Sequence, residues 1–170
     1  MKKCIFLDRD GVLNVDRVDY VYRIEDFIIP DGTIEALQRM KAAGYLLIVI
    51  TNQSGIAKGI YKREDVWKCH HYFQEQCGGL LDDIYFSPHH EKFNSASLTR
   101  KPDSLMIEKA MAKYQIDPEQ SWMIGDAERD IKAGQKAGIR TIHLSNHPAE
   151  SLSKVVTKTL LEASEVVTEF

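Results

Sequence analysis

The sequence predicts an α/β fold in which one doubly wound parallel sheet carries helices on both faces. Short apolar runs without polar alternation are typical of strands that are buried on both sides. Helical patterns lie between these runs, and such alternation indicates a parallel sheet. The length of 170 residues, with 44% apolar and 28% charged residues, is that of a soluble globular chain, so we expect one domain over 1–170.

The predicted elements follow one another in a regular order. Strands are predicted at 4–7, 45–50, 84–86, 122–124 and 141–144, and helices between them at 33–43, 63–76, 104–114 and 127–137. Gly44 and Gly138 end two of the helices. The stretch 87–99 is predicted to be a long loop, and loops of this length are often functional. From residue 148 we expect one helix followed by a short apolar end at 166–167.

Composition excludes several classes of partner. The chain carries 22 basic and 25 acidic residues, a net charge of −3, and therefore lacks the basic field that holds nucleic acids. Its longest apolar run is far shorter than the roughly 20 residues needed to cross a bilayer. Three widely spaced cysteines without a CxxC motif, and no apolar leader at the start, favour free thiols in a cytoplasmic protein.

Two acidic residues follow the first predicted strand. Asp8 and Asp10 point to the same side of an extended segment, and Gly11 then permits a sharp turn. Ligands of open α/β sheets bind beyond the carboxyl ends of strands, where this pair lies. Neighbouring carboxylates repel one another and need a proton or a cation, and oxygen ligands indicate a hard cation such as Mg²⁺. A solvated turn is the alternative for this pair alone.

A further acidic motif follows the fourth predicted strand. Asp126 lies at the strand end, and Asp130 lies one helical turn later. Acidic residues at a helix N-terminus are also good caps, so capping alone stays open for Asp130. If the strand ends converge, Asp8, Asp10 and Asp126 form one acidic metal site.

Two polar motifs contain the groups of an anion pocket. Residues 51–54, Thr-Asn-Gln-Ser, follow the second predicted strand, where hydroxyls and backbone N–H groups form a cradle. Arg100 and Lys101 follow the long loop and offer a phosphate a bidentate fork and a point charge. An ordinary turn and two solvated cations are the respective alternatives. Together with the acidic motifs, these residues predict a metal site that faces a phosphate pocket.

Four motifs follow one another along the chain: DRDGVLN, TNQSGIAKG, RKP and GDAERD. In this order they resemble the motifs of the haloacid dehalogenase-like phosphatases, in the histidinol-phosphatase branch. The resemblance covers residues 3 to about 144 and implies Mg²⁺-dependent hydrolysis of a phosphate monoester through an aspartyl-phosphate. The implied substrate is a small phosphorylated metabolite, first the 7-phosphate of D-glycero-D-manno-heptose 1,7-bisphosphate. Histidinol phosphate or another sugar phosphate is the alternative. A non-catalytic phosphate sensor and a nucleic-acid 3′-phosphatase are weaker rivals.

The resemblance also assigns roles to individual residues. It implies that Asp8 is the nucleophile and that Asp10 is first the general acid and then the base. It implies a metal bound by Asp8, the main-chain carbonyl of Asp10 and Asp126. The residues that it places against the substrate are Asp16, Arg17, Val18, Asp19, Thr51, Asn52, Gln53, Ser54, Arg100, Lys101 and, through its backbone only, Ala127.

The sequence departs from this branch at one loop. Relatives often hold a zinc ion there with cysteines and a histidine, whereas the matching positions here are Ser87, His89, Ser97 and Thr99. Because a structural zinc needs about four nitrogen or sulfur ligands, we expect no zinc and a loop held by packing alone.

Spacing argues against a large cap domain. Asp10 and Thr51 are about forty residues apart, as are Ser54 and Arg100, and one crossover helix uses most of either interval. We therefore expect an open site trimmed only by loops. The sequence leaves the oligomeric state open, with a monomer favoured.

Overall fold

The computed structural model describes residues 1–169 and contains a six-stranded, fully parallel sheet. The strands are β1 (Cys4–Leu7), β2 (Leu46–Asn52), β3 (Asp83–Ser87), β4 (Trp122–Gly125), β5 (Arg140–Leu144) and β6 (Val155–Thr157). Their order in the sheet is β3-β2-β1-β4-β5-β6. The predicted doubly wound parallel sheet is confirmed.

Five helices cover the two faces of the sheet. They are α1 (Thr33–Ala42), α2 (Arg63–Gln76), α3 (Leu105–Tyr114), α4 (Glu128–Lys136) and α5 (Leu160–Thr168). One core contains Leu37 of α1, Phe73 of α2 and Leu160 of α5. The other contains Ile107 of α3 and Ala133 of α4. The helices therefore enclose the sheet between two apolar layers.

Strand β1 supplies side chains to both layers. Ile5 and Leu7 belong to the core under α1, α2 and α5, whereas Cys4 and Phe6 belong to the core under α3 and α4. All four are fully buried. This period of two explains why a central strand with two covered faces is a continuous apolar run.

The strand order places a binding crevice beside β1. The chain proceeds from β1 to β2 and β3 on one side, then returns to β4 on the other side. Ligands of open α/β sheets bind at such a reversal, beyond the carboxyl ends of the strands. Asp8 follows β1 and Asp126 follows β4, so the fold brings these two residues to the same crevice.

The tail differs from the sequence prediction. Residues 155–157 form the edge strand β6, which was not predicted, and 166–167 lie inside α5 rather than beyond a helix. The strand was missed because it has three residues and polar neighbours on both sides. Val167 is buried in the core, and this apolar packing holds α5 against α1.

The connections above the carboxyl ends of the strands are loops. In the described part of the chain, 8–32, 53–62 and 88–104 contain only one short 3₁₀ turn, Ile24–Asp26, and no cap domain. No described helix has the length and apolar character needed to cross a membrane.

Candidate active site

Three carboxylates meet above β1 and β4. One oxygen from each of Asp8, Asp126 and Asp130 lies within 4.8 Å of the others. Gly11, with a φ of +83°, makes this approach possible, because a Cβ at that position would lie 2.0 Å from Oδ2 of Asp126. The first and fourth motifs are therefore in direct contact, as the sequence predicted from the strand ends.

The acidic centre raises the pKa of its own members. Burial, and then the charge of Asp130, raise the pKa of Asp8 to about 7. Burial and Asp130 likewise raise the pKa of Asp126 to about 6. Carboxylates in such surroundings need a compensating cation to stay ionised at neutral pH.

Lys101 supplies one such cation. Its fully buried ammonium lies 2.9 Å from Oδ1 of Asp8 and 2.7 Å from Oδ1 of Asp130. It also donates to the main-chain oxygen of Ile50 at 2.7 Å. These three partners fix the ammonium beside the Asp8 carboxylate, and both carboxylates raise the pKa of Lys101.

Asp130 both caps a helix and belongs to the site. Its Oδ2 accepts a hydrogen bond from the N–H of Ala127 at 3.1 Å, while Oδ1 pairs with Lys101. Capping alone is therefore too narrow an interpretation of Asp130. The same bond occupies the backbone N–H of Ala127, the donor that the resemblance had offered to the substrate.

A ring of donors holds the carboxylate of Asp10. Oδ1 accepts from Arg9 Nη2 at 2.8 Å and from Asn14 Nδ2 at 3.0 Å, and Oδ2 accepts from Gln53 Nε2 at 3.0 Å. Arg9 and Asn14 are buried. The side chain of Asp10 is thus oriented by hydrogen bonds, apart from the cluster of Asp8, Asp126 and Asp130.

The second motif builds one wall of the site. Thr51 is fully buried at the end of β2, and its hydroxyl accepts from Gln53 Nε2 at 3.0 Å. Asn52 exchanges two 3.0 Å hydrogen bonds with the main chain of Lys101. The amides of Asn52 and Gln53 are therefore committed to neighbouring site residues. Ser54 lies beside Tyr20 of the first loop.

Arg100 lies at the mouth of the site. It is partly buried and donates to the main-chain oxygen of His89 at 3.2 Å. Burial, and then the charge of Arg129, lower the pKa of Arg100. Burial, and then Arg100 and Lys58, lower the pKa of His90. The mouth thus gathers several cationic groups above the acidic centre.

The loop that contains Asp16, Arg17, Val18 and Asp19 is exposed. Arg17 pairs with Asp19 at 2.9 Å and with Asp26 at 2.7 Å. Val18 at its tip is completely exposed. Of the four residues, Asp16 acts electrostatically on Asp126. The structure thus connects one end of this loop to the acidic centre and leaves the tip in solvent.

Hydroxyl groups hold the loop at 87–99. The hydroxyl of Thr99 lies 3.0 Å from that of Ser87 and 2.8 Å from that of Ser97. Nδ1 of His89 lies 3.2 Å from the Ser95 hydroxyl. The expectation that packing alone holds this loop is wrong, because a hydrogen-bond chain ties its end to β3.

The residues present fit a hard divalent cation. Oδ1 of Asp126 is buried and has no hydrogen-bond partner among residues 1–169. This atom belongs to an all-oxygen group with Asp8 and Asp130, and oxygen ligands of this kind suit Mg²⁺. An unpaired buried carboxylate oxygen is costly, and a cation would satisfy it.

Several site residues carry no signal in a single sequence. Arg9, Asn14 and Tyr61 act through buried hydrogen bonds that only the folded chain reveals. His143 at the end of β5 likewise donates from Nε2 to the main-chain oxygen of Asp126 at 3.1 Å. Its Nδ1 accepts from the Ser151 hydroxyl at 2.8 Å.

Comparison with known proteins places this geometry in context. A family model described as haloacid dehalogenase-like hydrolase matches residues 18–144. The chain is 43% identical, over 147 residues, to the D-glycero-beta-D-manno-heptose-1,7-bisphosphate 7-phosphatase of Pasteurella multocida, covering 82% of this chain and 79% of that protein. It is 42% identical, over 147 residues, to the D-glycero-alpha-D-manno-heptose-1,7-bisphosphate 7-phosphatase of Campylobacter jejuni, covering 85% and 83%.

A solved structure shares the fold over nearly its whole length. The D,D-heptose 1,7-bisphosphate phosphatase from B. bronchiseptica, complexed with magnesium and phosphate, superposes with a TM-score of 0.89. Its sequence is 25% identical, and the match covers 98% of each chain.

Proposed function

The chain belongs to the haloacid dehalogenase-like hydrolase family, and on that premise we propose that it is a magnesium-dependent phosphatase with Asp8 as its nucleophile. The observation that carries the proposal is the buried group of Asp8, Lys101 and the acidic residues around them. A phosphate monoester carries negative charge, so a pocket for it needs cations beside the attacking carboxylate.

The first chemical step belongs to Asp8. Its carboxylate oxygen attacks phosphorus, the bond from phosphorus to the ester oxygen breaks, and the side chain becomes an aspartyl-phosphate. Lys101 favours the ionised form of Asp8 at the start and then neutralises charge on the phosphoryl oxygens. Covalent catalysis of this kind divides one difficult hydrolysis into two easier steps.

Asp10 moves the protons of both steps. In the first it gives a proton to the departing ester oxygen, and in the second it takes one from the water that attacks the phosphorylated Asp8. The bond between phosphorus and Asp8 then breaks, and inorganic phosphate leaves. General acid–base help of this kind is worth about 10²–10⁴-fold, and the donors around Asp10 fix the side chain for it.

The acidic centre supplies the metal ligands. Asp8 and Asp126 would hold Mg²⁺ through side-chain oxygens, together with the main-chain carbonyl of Asp10. Asp130 would lie beside the metal and hold Lys101 by its ion pair. When bound, Mg²⁺ offsets charge that develops on the phosphoryl group. The uncommitted Oδ1 of Asp126 supports this assignment.

The substrate class that we propose is D-glycero-D-manno-heptose 1,7-bisphosphate, cleaved at the 7-phosphate. Relatives at about 40% identity carry that activity in their names, for both the alpha and the beta sugar. A bisphosphate brings a second anion, and the mouth offers the cations Lys58 and Arg100, with Arg129 next to the acidic centre. Thr51, Ser54 and the loop of Asp16 to Asp19 are proposed to complete the substrate pocket.

The remaining proposals concern cofactors, assembly and location. We propose that no structural zinc is bound, because hydroxyls occupy the positions where a zinc loop needs cysteines. Metal analysis of the purified protein should find no stoichiometric zinc, and tightly bound zinc would contradict this. We propose that the protein is a monomer and that residues 1–170 form a single domain. We further propose a cytoplasmic location.

The test is a direct comparison of substrates. Phosphate release is measured with Mg²⁺ for the alpha and beta heptose 1,7-bisphosphates, for histidinol phosphate and for a DNA 3′-phosphate end. We expect the heptose bisphosphates to have the highest kcat/KM and Asp8→Asn to abolish release. Preference for histidinol phosphate or DNA would overturn the substrate, and tight phosphate binding without turnover would overturn the enzyme.

A further inference from the structure

Tyr61 makes a buried hydrogen bond that the chemistry above does not use. It lies between β2 and α2, is 5% exposed, and donates from its hydroxyl to Oε1 of Gln53 at 2.7 Å. The amide oxygen of Gln53 can only accept a hydrogen bond, so the phenol donates its hydrogen to it.

This contact determines which way the amide of Gln53 faces. Because Oε1 is taken by Tyr61, Nε2 points to the opposite side, where it donates to Oδ2 of Asp10 and to Oγ1 of Thr51, both at 3.0 Å. Gln53 is itself buried, with 1% of its surface exposed, so water does not compete for these bonds.

The orientation of the amide decides where a proton on Asp10 can go. Oδ1 of Asp10 already accepts from Arg9 and Asn14, so Oδ2 is the less engaged oxygen. The NH₂ group of Gln53 is a hydrogen-bond donor, so it cannot accept a proton carried by Oδ2. That proton therefore stays available to the departing ester oxygen. In the reversed orientation, Oε1 would accept this proton in a hydrogen bond and hold it.

The ring of Tyr61 is held by packing against Gly55 and two other tyrosines. Gly55 has no side chain, and a Cβ there would lie 2.0 Å from Cε1 of Tyr61. Tyr22 stacks on this ring with ring centroids 5.1 Å apart, and Tyr20 makes an edge contact with it at 5.9 Å between centroids. The hydroxyl is thereby aimed at Gln53 in a rigid setting.

We propose that Tyr61 is a positioning residue of the phosphatase reaction, whose hydroxyl fixes the Gln53 amide so that Asp10 delivers its proton to the leaving group. This rests on the proposed function, and it adds a residue that never touches the substrate. Its signature is a dependence on the leaving group, because a good leaving group departs without a proton and a poor one does not.

The experiment compares Tyr61→Phe with the wild-type protein on 4-nitrophenyl phosphate, phenyl phosphate and the heptose bisphosphate. The kcat/KM value is used because it reports the step that breaks the ester bond. We expect Tyr61→Phe to lower kcat/KM about tenfold for phenyl phosphate and the sugar, and less than twofold for 4-nitrophenyl phosphate. Equal losses on all three would overturn the proposal, since a merely structural defect has no leaving-group preference.

Two further variants sharpen the result. Tyr22→Phe removes the hydroxyl of the ring that stacks on Tyr61, which accepts from Arg23 at 3.4 Å, and this variant should match the wild type on all three substrates. In a Gln53→Met background the amide is gone, so adding Tyr61→Phe should change nothing more. Additive losses would overturn the proposal. Absence of wild-type turnover on every substrate would instead refute the proposed function.

Discussion

The ammonium of Lys101 lies 2.9 Å from Oδ1 of Asp8, and both side chains are buried. Burial of a charge is costly unless a partner compensates it, so each of these residues makes the other possible. The pair unites the end of β1 with the loop before α3, two regions far apart in sequence. In the proposed mechanism, this contact prepares the Asp8 carboxylate for attack on a phosphate.

Replacing Lys101 with Met tests this pair. The substitution leaves Asp8 and Asp130 without their common cation, and breaking a buried pair in this way costs about 3–5 kcal/mol. We expect the variant to lose phosphatase activity and to unfold at lower denaturant concentration, with the larger loss of stability at pH 8 than at pH 5. Urea titrations at the two pH values measure this. Equal stability to the wild type at pH 8 would show that the pair is not a buried ion pair.

The response to Mg²⁺ should depend on pH. The folded-state pKa of Asp8 is raised to about 7 and that of Asp126 to about 6, so the folded metal-free protein binds these protons more tightly than the unfolded chain. Their contribution to stability is present below about pH 4 and is lost as the pH rises through 6 to 7. Mg²⁺ binds the ionised forms, so its stabilising effect should grow over that window.

Thermal unfolding with Mg²⁺ or with EDTA measures this effect. We expect little difference in Tm at pH 5 and a large one at pH 8, equivalent to about 2.7 kcal/mol when Mg²⁺ is at 100 times its Kd. Asp126→Asn is the matched control, and it should abolish most of the increment. An increment that stays constant between the two pH values would contradict the shared metal site.

Thr99→Val tests the hydroxyl chain of the loop at 87–99. The substitution keeps the shape of the side chain and removes its hydrogen bonds to Ser87 and Ser97, each worth about 1 kcal/mol. We expect a loss of about 2 kcal/mol in unfolding free energy. We also expect a higher KM, because Arg100 is the next residue. A variant with unchanged KM and stability would show that the chain of hydroxyls does not hold the loop.

His143→Leu tests the support of Asp126. The imidazole bonds to the main-chain oxygen of Asp126, and loss of such a support weakens metal binding. We expect the Mg²⁺ concentration for half-maximal activity to rise roughly tenfold, with kcat at saturating Mg²⁺ little changed. Ser151→Ala removes the second contact of the ring and should have a smaller effect in the same direction. A loss of kcat that Mg²⁺ does not restore would contradict this role.

The sequence alone predicts the parallel sheet and the contact between the acidic motifs that follow β1 and β4. Buried strands have a continuous apolar pattern, and a parallel sheet brings their carboxyl ends together, so the pattern predicts that Asp8 and Asp126 share one crevice, as they do. The edge strand β6 escaped because a strand of three partly exposed residues leaves no such pattern.

The supports of the site could not be derived in the same way. Tyr61 acts on Asp10 through Gln53, and His143 acts on the backbone of Asp126 across two strands. Neither relation has a fixed spacing in the chain, since Gln53 and Asp10 come from different loops and His143 reaches Asp126 from a neighbouring strand. Thr99 was expected only to be a lost zinc ligand, and its hydrogen bonds required the folded loop.

Chemical identification of the phosphorylated residue is the most direct test of the mechanism. Asp10→Asn is mixed with ³²P-labelled 4-nitrophenyl phosphate and Mg²⁺, because this leaving group needs no proton and the missing base slows the second step. Acid quenching, reduction with borohydride and peptide mapping then locate the acyl phosphate. We expect a homoserine at position 8 and no label in a protein that also carries Asp8→Asn. Label on another residue, or none while phosphate is released, would contradict Asp8 as the nucleophile.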